Sequence, residues 1–126
     1  NALEKIGQYG YISINDPCCG AGATLIAGVH VIRKQLDHCD PPKNYQNHIL
    51  VVAQDVDEIV GLMCYIQISL LGLAGFIKIG NSITDPMSTD DSSEKYWYTP
   101  MYFSDVWSTR RMLRQINKLF GKGDDE

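Results

Sequence analysis

The chain has 126 residues, of which 44% are hydrophobic, 21% charged and 10% aromatic, and its formal net charge is -4. One globular domain fits that length, and the composition excludes collagen, coiled coil, mucin-like stalk and wholesale disorder. Eleven basic against fifteen acidic residues argue against a protein that wraps nucleic acid by bulk charge, leaving a local basic patch as the remaining route.

Residues 9–15, YGYISIN, are rich in aromatic and β-branched types and alternate loosely, so they predict a strand. DPCCGAG follows, a turn by its Asp-Pro and by two glycines spaced by one residue. Leu25, Ile26, Val29, Ile32 and Leu36 then recur at helical spacing until DHCDPPKN, where two prolines forbid continuation. HILVVAQD is a short, almost wholly apolar run, the pattern of a strand covered on both faces of a parallel sheet. Residues 57–71 predict a second helix with Gly72 as its C-terminal cap, and FIKIGNSI a third strand. The alternation of strand and helix implies a parallel sheet with helices on its faces.

Ile59 to Ile77 contains no charge, and its nineteen residues approach the length of a membrane span. Gly61, Gly72 and Gly75, the polar Gln67 and Ser69, and the division into helix, turn and strand favour a buried element instead, so no membrane association is expected. Residues 84–94 carry four acids and no base and predict a mobile surface loop. YWYTPMYF is too dense in aromatics for an idle linker. Residues 104–120 predict an amphipathic helix with Ser104 as N-cap and Val106, Leu113, Ile116 and Phe120 on one face. Its Arg110, Arg111 and Arg114 are either a solvated face or contacts to phosphates. The tail GKGDDE is expected to fray.

Cys18, Cys19, Cys39 and Cys64 show no C-x-x-C spacing, which argues against a zinc site and a secreted disulfide framework. Reduced thiols point to the cytoplasm. His38, Cys39 and Asp40 are adjacent ligand types, but a polar turn into Pro41-Pro42 explains them better than a metal does. The opening Asn1-Ala2, in place of Met, is compatible with a piece excised from a longer chain.

Two glycines after a first strand let a ligand approach where a Cβ would collide. The third glycine of a dinucleotide fingerprint is replaced by Leu25, which weakens an NAD reading. A carboxylate at the tip of the second strand, Asp55, can accept two hydrogen bonds from ribose hydroxyls, and Gly80-Asn81-Ser82 ends the third strand on the same edge. Three strand tips carrying polar groups predict a nucleoside crevice.

The pattern INDPCCGAGATLI, then AQDVD, then IGNSI resembles the adenine-N6 DNA methyltransferases of restriction-modification systems, above all the modification subunits of type I systems and related mobile-element methylases. The resemblance covers about residues 10–83. It implies a Rossmann-like S-adenosylmethionine-dependent fold, here a single partial domain over residues 1–126, three-layered αβα with a parallel sheet of three or four strands. It implies S-adenosylmethionine as cofactor and DNA as partner. Asp16 and Pro17 would then stand near the methionine amino group, with Gly20 and Gly22 making room for the cofactor. Asp55 would hold the ribose, Val56 would touch the adenine, and Asn81, where the family usually has aspartate, would bond the exocyclic amine.

The family's catalytic tetrapeptide, an asparagine or aspartate, two prolines and an aromatic, is absent; Thr99-Pro100-Met101-Tyr102 keeps one proline and the aromatic. Three alternatives stand for YWYTPMYF: a degenerate catalytic motif through Thr99, Pro100 and Tyr102, the family's cofactor-touching aromatic-threonine-proline segment, or a structural aromatic plug. An inactive, methyltransferase-like binding module is the alternative function. The first strand is internal in the complete fold, so its open side is expected to be covered by YWYTPMYF, by the C-terminal helix, or by a homodimer partner or the remainder of the enzyme.

Overall fold

The computed structural model describes residues 2–120. Its elements are α1 (Ala2–Tyr9), β1 (Ile12–Asp16), α2 (Ala23–Asp37), β2 (Ile49–Asp55), α3 (Glu58–Leu70), β3 (Ala74–Ile79), β4 (Tyr96–Tyr98) and α4 (Asp105–Leu119), with single 3-10 turns at Tyr45–Asn47, Ser93–Lys95 and Pro100–Phe103. The tail expected to fray, residues 121–126, lies outside the described residues.

The α/β class and an open sheet compatible with a Rossmann-like arrangement are as the sequence predicts. The sheet order is β1-β2-β3-β4. β1, β2 and β3 run parallel, with Asp16 beside Ala53 and Asp55 beside Ile79, so their carboxyl ends share one edge. β4 is antiparallel to β3, pairing Phe76 with Tyr98 and Lys78 with Tyr96, so the sheet is mixed where a parallel one was expected. The reason is the connection: residues 80–95 include no crossover helix, and only such a helix could carry the chain back to start a parallel neighbour.

A second departure concerns the layers. Strand side chains alternate between faces, so Ile12, Ile14, Ile49, Val51, Ala53, Ile77 and Ile79 share one side. That side meets Leu25, Val29, Ile32 and Leu36 of α2, Cys64 and Ile68 of α3, and Ile6 of α1 in one apolar cluster. Each fully buried aliphatic side chain there is worth about 1.5–3 kcal/mol. Both crossover helices thus lie on one face, and the expected three layers reduce to two over β1 and β2. On the opposite face Ser13 and Asn15 are exposed and Leu50 and Val52 half-buried.

Over β3 that opposite face is covered by aromatic rings. Phe76 lies 5.3 Å from the ring of Tyr96, 5.7 Å from Tyr98 and 5.8 Å from Tyr102, and Phe103 closes on Tyr98 and Tyr102. YWYTPMYF is therefore a structural plug, and it covers β3 rather than the edge of β1. α4 meets the body at its first turns. Trp107 is buried, donates to the Gln46 carbonyl at 2.9 Å and packs edge-on against Tyr11. Arg110 donates to the carbonyls of Gly10 and Asn47.

Residues 84–94 were expected to be mobile, yet they are tied to the sheet. Lys78, 1% exposed, sends its ammonium to Asp85 Oδ1 at 3.0 Å, Asp91 Oδ2 at 2.9 Å and the Pro86 carbonyl at 3.0 Å. Gln54 Nε2 donates to the Asp85 carbonyl, and the Tyr96 hydroxyl to Asp91. A buried ammonium needs several acceptors, and the loop supplies them.

Candidate functional site at the carboxyl edge of the sheet

The loop after β1 is held from three sides. The Cys19 amide donates to the Gln54 carbonyl at 2.9 Å, the Gly20 amide to Asp55 Oδ2 at 2.8 Å, and Gln67 Nε2 of α3 to the Ala21 carbonyl at 2.7 Å. Gly22 caps α2 with φ 96°, and a Cβ there would stand 3.0 Å from Cys64 Sγ. Gly20 has φ 54°, and a Cβ added to it would meet no atom within 4 Å, so its outer side opens outward. The left-handed backbone at both glycines explains the residue type, and only at Gly20 does the omitted side chain leave free space.

Asp55 sits at the centre. Its Oδ1 accepts from the Asp57 amide at 2.9 Å and its Oδ2 from Gly20, which uses one lone pair on each oxygen and leaves acceptor capacity for hydroxyl groups. Its own carbonyl accepts from the Gly80 amide at 2.8 Å, so the tips of β2 and β3 are bonded. Asp16 Oδ1 accepts from the Cys18 amide at 3.0 Å, which shapes the turn through Pro17. Asn81 Oδ1 accepts from the Ile83 amide at 2.8 Å, fixing the turn after β3. Val56, 69% exposed, stands beside Asp55 with no apolar cover. Asp16, Pro17, Gly20, Gly22, Asp55, Val56 and Asn81 thus all belong to one edge.

Thr99, Pro100 and Tyr102 do not join them. The Thr99 hydroxyl is fully buried, donates to the Leu73 carbonyl at 2.7 Å and accepts from the Gly75 amide at 3.0 Å. Leu73 and Gly75 mark the amino end of β3. The five residues from Gly75 to Gly80 separate the two ends by roughly 16 Å of strand. Tyr102 lies under the Arg111 guanidinium, 4.1 Å away, within the aromatic plug. This disposition removes the degenerate catalytic motif from the crevice, and the cofactor-touching alternative with it.

Two buried thiols adjoin the loop. Cys19 and Cys64 share a hydrogen bond, which together with burial and the nearby Asp55 and Asp16 pushes the Cys19 thiol well up, so it stays protonated. Both are packing groups under the glycine turn, and all four cysteines are free. Among the described residues no three His, Cys, Asp or Glu side chains converge as metal ligands, and no helix is long and apolar enough to cross a membrane. Concavities of about 450 Å³, beside Leu3, Lys34 and His38, and about 210 Å³, beside Lys5, Tyr9 and Tyr11, lie away from the crevice.

Gln54, Cys64 and Gln67 hold the loop and were not singled out in the sequence. Gln54 and Gln67 had a legible signal, each a polar residue inside an apolar run; Cys64 carried none. Comparison with family models, curated proteins and solved structures finds no match.

Proposed function

We propose that this chain is the S-adenosylmethionine-binding portion of a DNA adenine-N6 methyltransferase of the restriction-modification or mobile-element type. One observation carries the reading: the Gly20 amide and the Asp55 carboxylate meet at 2.8 Å across the tips of neighbouring parallel strands, with Gly20 open on its outer side. In an open α/β sheet, ligands bind at the carboxyl ends of the strands. The residues fit an adenosyl group. Asp55 keeps lone pairs for two ribose hydroxyls, Val56 offers an apolar surface to the adenine, and Asn81 presents an amide at the neighbouring tip. S-adenosylmethionine carries a sulfonium cation and an ammonium, which suit a rim built from Asp16, Asp55 and Asp57; the pyrophosphate of a dinucleotide does not.

When bound, the cofactor supplies an electrophilic methyl group. The target adenine must leave its stack, and its amino group needs acceptors beside the methyl. Thr99 is occupied by Leu73 and Gly75, so in this reading the acceptor comes from outside residues 96–103. That same occupation favours a second reading, a catalytically inactive module that holds the cofactor and works through protein contacts.

Calorimetric titration with S-adenosylmethionine, S-adenosylhomocysteine and NAD tests the ligand. The first two should bind and NAD should not. Asp55→Ala should weaken binding by about 1.5–3 kcal/mol, the worth of a hydrogen bond to a charged group. Unchanged affinity in that variant removes Asp55 from the site, and selective NAD binding overturns the assignment. Incorporation of tritiated methyl into unmethylated DNA rules out the inactive module.

A further inference from the structure

The outward face of α3 carries apolar side chains that nothing in the domain covers. Ile59, Met63, Ile66 and Leu70 are 74, 48, 54 and 82% exposed. Their spacing alternates between three and four residues, the pattern of a two-helix seam. Gly61, Cys64 and Ile68 turn the opposite side of the same helix into the core. α3 is thus anchored on one face and has an unpartnered stripe on the other. An ordinary surface helix would carry charge there.

We propose that this stripe is a dimer interface in which α3 pairs with α3 of a second copy of the chain. The charges decide the occupant. Val60, Leu62, Gln67 and Ser69 flank the stripe and are all uncharged, and Glu58 is the single charge in the helix. Nucleic acid or an anionic membrane surface needs lysine or arginine at the contact, and the stripe has none. The other exposed apolar face, on α4, is accompanied by Arg110, Arg111, Arg114 and Lys118, whereas the acids beside the α3 stripe, Asp57 and Glu58, sit together at its amino-terminal end and cannot match four bases spread along a helix. A neutral stripe matches itself without repulsion.

The four side chains expose on the order of 500 Å² per copy, so a two-fold pairing removes about 1,000 Å², the threshold of a specific interface. A weak, reversible dimer follows, one independent of any ligand at the carboxyl edge and distinct from pairing through the β1 edge.

Sedimentation equilibrium of the full chain, from roughly 1 μM to 1 mM, tests this. The wild type should pass from monomer to dimer across that range. Ile66→Glu should raise the dissociation constant by about tenfold or more, since it places two carboxylates in an apolar seam. Leu119→Glu, on the exposed face of α4, should leave it unchanged. Circular dichroism establishes that each variant is folded; if Ile66→Glu is not, Leu70→Glu, at a more exposed position, replaces it. A monomer at every concentration overturns the proposal. So does an unchanged association constant in the folded α3 variant, or a dimer lost only through Leu119→Glu.

Discussion

At the first residues of β3 a side chain does the work of a strand. The Thr99 hydroxyl takes the Leu73 carbonyl and the Gly75 amide together, and both are buried. Thr99→Val keeps the shape and removes both bonds. Each orphaned backbone group costs about 1–3 kcal/mol, so chemical denaturation should show a loss of ~2–6 kcal/mol while ligand affinity at the carboxyl edge is unchanged. A variant of normal stability that no longer binds cofactor would return Thr99 to the site. In the sequence, threonine before proline carries no mark of depth, and its likeness to a catalytic tetrapeptide misleads for that reason. Asp16, Gly20 and Asp55 were legible because each needs its residue type for a local reason, an Asx turn, a left-handed backbone or a strand-tip acceptor. Their meeting at one edge followed once the parallel register was inferred.

Among the elements, β2 and α2 were readable from their apolar pattern alone: one is an unbroken apolar run from Ile49 to Ala53, the other presents an apolar residue at each turn toward the sheet. α1 was not, because ALEKIGQY buries only Ile6 and its eight residues carry too few apolar positions to establish a period. β4 is three residues long, and its antiparallel direction depends on the connection before it rather than on its own side chains. The loop of residues 84–94 misled for another reason. Its acids look solvated in isolation, and their counter-charge is a lysine within an apolar strand, FIKIG. A lone lysine in such a run is the signal that points to a tether. Lys78→Met should release this segment, and limited proteolysis should cut it between Thr84 and Lys95 much faster than in the wild type. Equal cutting rates would show that the ammonium is not what holds it.

For the molecule as a whole, the Lys78–Asp91–Tyr96 cluster sets the pH range of stability. The Tyr96 hydroxyl and the Lys78 ammonium hold the Asp91 carboxyl far below its ordinary 3.8, so its contribution is present above that value and lost as pH falls through the lower folded one. The Asp91 carboxylate raises Lys78 above its ordinary 10.5, and burial raises Tyr96 above 10.0. Those contributions are complete below the ordinary values and disappear as pH climbs through the raised ones. Thermal unfolding temperatures should therefore show a plateau between about pH 5 and 9, falling on both sides. In Lys78→Met the alkaline fall should be shallower; an identical alkaline limb would place its cause elsewhere. The tryptophans lead to a practical consequence. Trp107 is wedged against Tyr11 and Gln46, and Trp97 packs on Tyr65 beside the middle of β3, so neither indole touches the Gly20–Asp55 contact. Intrinsic fluorescence will follow unfolding faithfully and stay silent to a nucleoside at the strand tips, which makes heat of mixing, rather than quenching, the proper gauge of occupancy.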